Sequence, residues 1–151
     1  MREATAADAA GIAKVHDSAI ATLRRVYRPL PIRIDRYAAR APHLRRLVAL
    51  DGDEIVGTVE YEVLPGDRLH LINLGVREDQ RKRGVARHIV EAAARIAKAA
   101  DAHLLSLYTI RETGNVQVFE RLGFIVVREG AALDYVSEQP LNEVYMERAL
   151  A

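Results

Sequence analysis

From Arg45 onward the hydrophobic pattern changes period, and that change constrains the fold more than any other feature of the chain. "RRLVAL" at 45–50 runs into "DGDE", a Gly-containing hairpin signal, and then into "IVGTVEYEVL" at 55–64. "PGDR" at 65–68 marks a second turn and "LHLINLGV" at 69–76 a third strand, so the three form an antiparallel meander. Period two then gives way to period 3.6, with Val85, Ile89, Ala92, Ala93 and Ile96 on one face of a helix over about 84–100. "HLLSLYTI" at 103–110 is a mostly apolar run that reads as a strand buried on both faces. Strand, helix and strand over 69–110 point to parallel pairing there, attached to the meander.

The flanks complete the architecture. Thr5 followed three residues later by Asp8 resembles a capping box, which starts a helix near Ala6 whose apolar face is Ile12, Val15, Ala19, Leu23 and Val26. "YRPLP" at 27–31 ends it, because proline cannot continue a helix interior. A short helix, "IRIDRYAARA", follows before Pro42, and another near 114–121 carries Val116, Val118, Phe119 and Leu122. "FIVV" and "NEVYMERAL" supply two last strands. The expectation is an α/β (α+β) chain, one domain over 1–151. It has a mixed, mostly antiparallel sheet of six to seven strands, flanked on both faces by about four helices.

Composition removes several classes of function. A formal net charge of +1 gives no global drive towards nucleic acid or an anionic membrane. The absence of cysteine excludes disulfides, thiolate metal sites and a cysteine nucleophile. The N-terminal "MREATAADAAGIAKV" has no signal-peptide apolar run, so a cytoplasmic location is the default expectation.

One local feature stands against ordinary helix design. "DQRKRGVARHIVEAAARIA" at 79–97 sets Arg81, Lys82 and Arg83 before the long helix, where unpaired N–H groups already carry partial positive charge. Either the loop is a solvated basic surface, or an anion sits there. A strand-to-helix junction with Gly84 gathers backbone N–H groups on one spot, and a bound pyrophosphate would reverse the unfavourable interaction. The loop has neither the P-loop pattern nor G-x-G-x-x-G.

The junction resembles the acetyl-coenzyme A signature of the GNAT superfamily of N-acetyltransferases, [Q/R]-x-x-G-x-[G/A] placed five residues after the valine of L-x-V. Leu74, Val76, Arg81, Gly84 and Ala86 fill that pattern in order and spacing. "NVQVFERLGF" at 115–124 resembles the family's second signature, N-V-x-[F/L]-[Y/F]-E-[K/R]-x-G-F. The resemblance implies a bulged strand that diverges from the next to leave a V-shaped cleft. It implies acetyl-CoA as co-substrate, with no metal. The backbone of Leu74, Gly75 and Val76 would pair with the pantetheine arm. The N–H groups of Lys82, Arg83, Gly84, Val85, Ala86 and Arg87 would hold the pyrophosphate, and Arg81, Lys82 and Arg83 would reach phosphate oxygens or remain solvated. Asn115 and Phe119 would face the pantetheine, and an N–H near Val76 would polarise the thioester carbonyl.

Catalysis is where the chain departs from its relatives. Acetyl transfer to an amine needs one proton removed and a thiolate stabilised or protonated. Many relatives place a carboxylate where this chain has His70, whose imidazole, with a reference pKa of about 6.5, can accept a proton at neutral pH. The competing reading is a polar residue on an exposed strand face, with Glu60 or Glu62 acting through water. The family's usual acid, a tyrosine, is replaced by Phe119, which has no proton to give. Either Tyr108 is the substitute acid, or it is a core residue with its hydroxyl at the rim and the thiolate leaves with help from solvent and backbone.

The implied function is an N-acetyltransferase acting on a primary amine of a small molecule or peptide, with no nucleic-acid or membrane partner and a possible homodimer. The alternative is a CoA-binding regulatory or sensor domain of the same fold with little turnover. "RRVYRPLPIRIDRY" and "EGAALDYVSEQPLNE" would grip the acceptor, and five arginines in the first hint at a carboxylate or phosphate on it.

Overall fold

Thr5 donates its N–H to Asp8 Oδ2 at 2.7 Å, the carboxylate half of the capping box. Asp8 is held well below the usual carboxylate range, first by its hydrogen bonds from Arg2 and then by that N–H. In the computed structural model, which describes Met1–Ala151, this cap starts the first helix. The chain order is β1 (Arg2–Glu3), α1 (Ala9–Leu23), β2 (Arg28–Pro29), α2 (Pro31–Arg40), β3 (Arg45–Asp51), β4 (Glu54–Leu64) and β5 (Arg68–Val76). It continues with α3 (Val85–Ala99), β6 (Leu104–Ile110), α4 (Asn115–Arg121), β7 (Ile125–Ala131), β8 (Tyr135–Val136) and β9 (Asn142–Ala149).

Seven strands form one sheet in the order β1-β3-β4-β5-β6-β9-β7, and β2 pairs with β8 in a separate two-stranded ribbon. Every neighbour in the large sheet is antiparallel except β5 and β6, which are joined through α3. The chain is thus a mixed, mostly antiparallel α/β domain with helices on both faces. No helix is long and apolar enough to cross a membrane.

The helices pack where their apolar stripes dictate. From α3, Ile89, Val90, Ala92, Ala93, Ala94 and Ala97 join Val59, Leu69, Leu71, Leu105 and Leu107 of the sheet and Phe119 of α4 in one cluster. Burying each Ile, Leu or Val side chain there contributes about 1.5–3 kcal/mol. On the opposite face Ile12 and Val15 of α1 pack on Val48 and Ile55. The approach of α3 depends on Gly57, where a Cβ would lie 2.8 Å from Val85 Cγ1 and 2.9 Å from Ile89 Cδ1.

Several boundaries differ from expectation. Helix α1 stops at Leu23, before Val26. Pro31 opens α2 at its first turn, where its missing N–H costs nothing. The strand expected at "FIVV" runs to Ala131 and is exposed throughout, because it is the sheet edge. Val118 points outward from α4, and the β2–β8 ribbon was not foreseen at all.

Candidate active site

The cleft begins with a miscount between two strands. Thr58 faces Gly75 and Glu60 faces Ile72, so Asn73 and Leu74 together oppose the single residue Val59. Asn73 sits at φ +53°, a left-handed conformation that asparagine tolerates better than most residues. Such an extra residue bends its strand. The β5–β6 pairing accordingly covers only Arg68–His70 against Leu104–Ser106, while β6 stays paired with β9 as far as Ile110. The two strands separate beyond His70, leaving 71–76 without a partner on the β6 side. The opening is a cleft of about 190 Å³. Its walls include Leu71–Leu74 of β5 and Leu107–Ile110 of β6, with Asn115 and Phe119 from α4 and Leu23, Tyr27 and Tyr135 from α1 and the ribbon. The separation also corrects the expectation that β6 is buried on both faces: Tyr108 is 46% exposed.

At the end of β5 the main chain assembles a set of donors. Arg77 N–H bonds Val56 O at 2.9 Å and closes the strand, and a 3₁₀ turn follows at Glu78–Gln80. Lys82 at φ +63° and Gly84 at φ +79° then swing the chain into α3. The N–H groups of Lys82, Arg83, Gly84, Val85, Ala86 and Arg87 find no acceptor in the chain, and the first helical bond runs from His88 N–H to Gly84 O at 3.0 Å. A Cβ on Gly84 would meet only His88 Cδ2, at 4.0 Å, so the donors face open space. Lys82 and Arg83 are exposed beside them. Arg81 instead turns inward, donating to Val76 O and to Thr22 Oγ1, each at 3.4 Å, and Arg87 donates to Arg121 O at 3.1 Å. Arg81 and Arg87 are thus each partly engaged by the protein, while the side chains of Lys82 and Arg83 stand in solvent.

His70 lies where the strands part. It is 5% exposed, which rules out the exposed-strand reading, and its Nδ1 is 2.7 Å from Ser106 Oγ on the paired residue of β6. Burial, then the charges of Arg40 and Arg68, pull the imidazole down to about 4. It is therefore neutral at physiological pH and titrates below the ordinary histidine range. Tyr108, two residues further along β6, has its ring centroid 5.5 Å from that of His70, and its hydroxyl accepts a bond of 3.2 Å from Arg128 Nη2. Phe119 packs edge-on against Phe124 and lines the cleft without a polar atom.

The alternative carboxylates are committed elsewhere. Glu60 is 1% exposed and accepts 2.6 Å bonds from the Tyr37 hydroxyl and from Arg46 Nη2. Burial and that carboxylate push Tyr37 up to about 12. Glu62 is ion-paired with Arg40.

The remaining wall is made by the β2–β8 ribbon. Arg28 pairs with Val136 and Pro29 with Tyr135, so the two segments expected to grip an acceptor do meet. Arg36 bonds Asp134 at 3.0 Å and Leu30 N–H bonds Asp134 O at 2.8 Å, fixing the ribbon to α2. Tyr27 and Tyr135 stand edge to face with centroids 4.7 Å apart, and Arg33 lies over the Tyr135 ring at 4.6 Å. No group of three or more His, Cys, Asp or Glu is placed to hold a metal ion.

The family model "Acetyltransferase (GNAT) family" matches residues 12–124, three quarters of the chain, from α1 to the end of the second signature. The chain belongs to the GNAT family of acetyltransferases. No curated protein matches it in sequence. Solved structures share the fold of this GNAT domain over nearly its whole length. The Streptococcus mutans protein smu.2055 superposes with a TM-score of 0.79 at 17% identity, covering 99% of this chain and 98% of its own. A ribosomal-protein-alanine N-acetyltransferase from Brucella melitensis gives 0.72 at 18%, with 99% and 98% covered. YncA of Salmonella typhimurium, solved with its cofactor acetyl-CoA, gives 0.74 at 16%, with 99% and 92% covered.

Two residues of this GNAT cleft, Asn73 and Ser106, have no place in the sequence expectations, and Arg33 and Tyr135 lie in the two expected acceptor segments without being singled out there. Asn73 carried a signal, since asparagine between apolar strand residues marks a left-handed position. Ser106 is a lone hydroxyl in an apolar run, and only strand register brings it to His70. Arg33 and Tyr135 lie 102 positions apart, and no local pattern joins them.

Proposed function

We propose that this GNAT domain is an acetyl-CoA-dependent N-acetyltransferase that acts on a primary amine by direct attack in a ternary complex. One observation carries the reading: the buried His70, the unpaired edge 71–76 and the free N–H groups of 82–87 follow one another along β5 and its continuation into α3. The residues present fit acetyl-CoA. Gly84 keeps its side of the loop clear, six backbone donors suit a pyrophosphate, and Lys82 and Arg83 add charge. Leu74, Gly75 and Val76 offer an edge for the pantetheine amides, and Asn115 and Phe119 wall its other side. The fold likeness to YncA, which was solved with acetyl-CoA, supports the same reading.

Bound acetyl-CoA supplies the thioester whose carbonyl carbon the amine nitrogen attacks. A backbone N–H near Val76 donates to the carbonyl oxygen. With Nδ1–H given to Ser106, the Nε2 atom of His70 accepts the amine proton as the C–N bond forms. Tyr108, its oxygen held by Arg128 Nη2, gives its hydroxyl proton to the sulfur as the C–S bond breaks. Both groups line the cleft; Glu60 and Glu62 have no part, being held by Tyr37, Arg46 and Arg40.

Phe119 favours a second reading, a domain that binds CoA but turns over little, because the family's usual acid is missing at that position. Acetyl-CoA turnover over a panel of primary amines, read by thiol release, separates the two. Amine-dependent release supports the enzyme. Tight acetyl-CoA binding with no amine-dependent release supports the binding domain.

A further inference from the structure

Among the side chains lining the cleft, Arg33 is the one permanent cation, and its donors are unspent. Four neighbouring arginines that do not line the cleft are engaged. Arg36 bonds Asp134, Arg40 pairs with Glu62, Arg68 bonds the Tyr145 hydroxyl and Arg128 bonds that of Tyr108. The Arg33 side chain makes no hydrogen bond; it forms an ion pair with Glu143 Oε2 at 3.8 Å, too far for a bond. Its guanidinium is nevertheless held in place, stacked 4.6 Å over the Tyr135 ring, which Tyr27 buttresses edge-on. A planar fork pre-oriented by an aromatic face, with free N–H groups at the wall of a cleft, is the arrangement that binds a carboxylate or phosphate bidentately.

Glu143 completes the pattern. It lines the same cleft, and its carboxylate has only the loose ion pair with Arg33. At the start of β9 it pairs with Ile110, on the face that carries Ser106, Tyr108 and Tyr145. In the free protein the two side chains act as each other's loose counter-ion. A ligand carrying both an anionic group and an ammonium would replace that one loose pair with two better ones.

We infer that the acceptor is a small zwitterionic amine, its anionic group read by Arg33 across the Tyr135 face and its ammonium drawn in past Glu143 towards His70. The inference rests on the acetyltransferase reading and adds the acceptor's chemical class. It makes Arg33 a specificity-determining residue. A carboxylate and a phosphate monoester present the same chemistry to the fork, so both are tested.

The experiment compares matched pairs: the twenty amino acids against their amides, and phosphoethanolamine against ethanolamine. Thiol release measures kcat/KM for each, and ligand-observed NMR on the CoA-loaded protein measures binding without turnover. At least one anionic member should exceed its neutral partner by about tenfold or more in kcat/KM. Whether that member is an amino acid or phosphoethanolamine identifies the anion. Arg33→Met should bring the ratio within about twofold through KM, with KM for acetyl-CoA and the melting temperature unchanged, and Arg33→Lys should restore part of it. Turnover that ignores the anion in every pair, or a preference that survives Arg33→Met, overturns the inference and leaves the acetyltransferase standing. If no amine turns over, the catalytic reading fails. NMR then decides the inference: Arg33-dependent binding of the anionic members upholds it, and equal binding of both members overturns it.

Discussion

The two halves of the cleft are built by different means. The half at 71–87 works through the main chain, with a bulge at Asn73, an unpaired strand edge and a run of N–H groups opened by Gly84. The acceptor half works through side chains, with Tyr27, Arg33, Tyr135 and Glu143 brought together from segments about a hundred residues apart. Backbone recognition needs glycine and spacing rather than particular side chains, so it survives wide sequence divergence. Side-chain recognition can be rewritten by single substitutions. Structures only 16–18% identical to this chain accordingly share its whole fold, while its acceptor wall has to be read from its own residues.

The largest expected effect lies in the backbone half. Gly84→Glu places a carboxylate among the donors and forces an L side chain to φ +79°. The strain costs about 1 kcal/mol, and the open space around Gly84 leaves the fold intact. Calorimetry should show acetyl-CoA affinity falling by about 10²-fold or more, roughly 3 kcal/mol, while circular dichroism stays native. Unchanged affinity would break the assignment of the loop.

Next comes His70, at the boundary between the halves. His70→Ala should lower kcat by about 10²-fold, the lower end for a positioned base, with acetyl-CoA affinity little changed. Because burial holds the imidazole at about 4, the wild-type kcat/KM profile should show no histidine inflection at neutral pH. Any neutral or alkaline limb belongs to the acceptor amine.

The same residue makes a stability prediction. Its folded value lies below that of a free histidine, about 6.5, so the unfolded chain binds more protons between those two values. Stability should therefore fall as pH drops from about 6.5 through 4, by up to about 3 kcal/mol. His70→Gln should flatten that part of a denaturation-versus-pH curve. An unaltered slope would contradict the burial of a neutral imidazole.

How much of this was legible in the sequence follows the same division. Hairpin signals at Gly52 and Gly66, the capping box at Thr5 and the stripe Ile89–Ala93 were local, and each formed where expected. Gly84 and the spacing from Val76 marked the loop. The direction of Arg81 was not legible, because it depends on Thr22 of a helix 59 residues away. The burial of Glu60 depends on Tyr37 and Arg46 in the same way. Alternation placed His70 on a face, and only the register β4–β5–β6 showed that the face is covered. Period and turns are carried by neighbours in sequence; charge pairing and burial are carried by neighbours in space.

Smaller effects sharpen the contrast. Tyr108→Phe should lower kcat by about tenfold if its hydroxyl serves the thiolate. Phe119→Tyr, which restores a hydroxyl to the cleft wall, should recover activity in that variant. The smallest effect is that of salt. Lys82 and Arg83 are exposed, so raising ionic strength from low to physiological should weaken acetyl-CoA binding by only about threefold.

The central claim is that acetyl-CoA is held by main-chain donors of one half while the acceptor wall stays free. Hydrogen–deuterium exchange with and without acetyl-CoA tests it directly. The account predicts strong new protection in peptides covering 71–76 and 82–87, and none in those covering 27–36 and 133–137. Protection of the ribbon with the loop unchanged would contradict it.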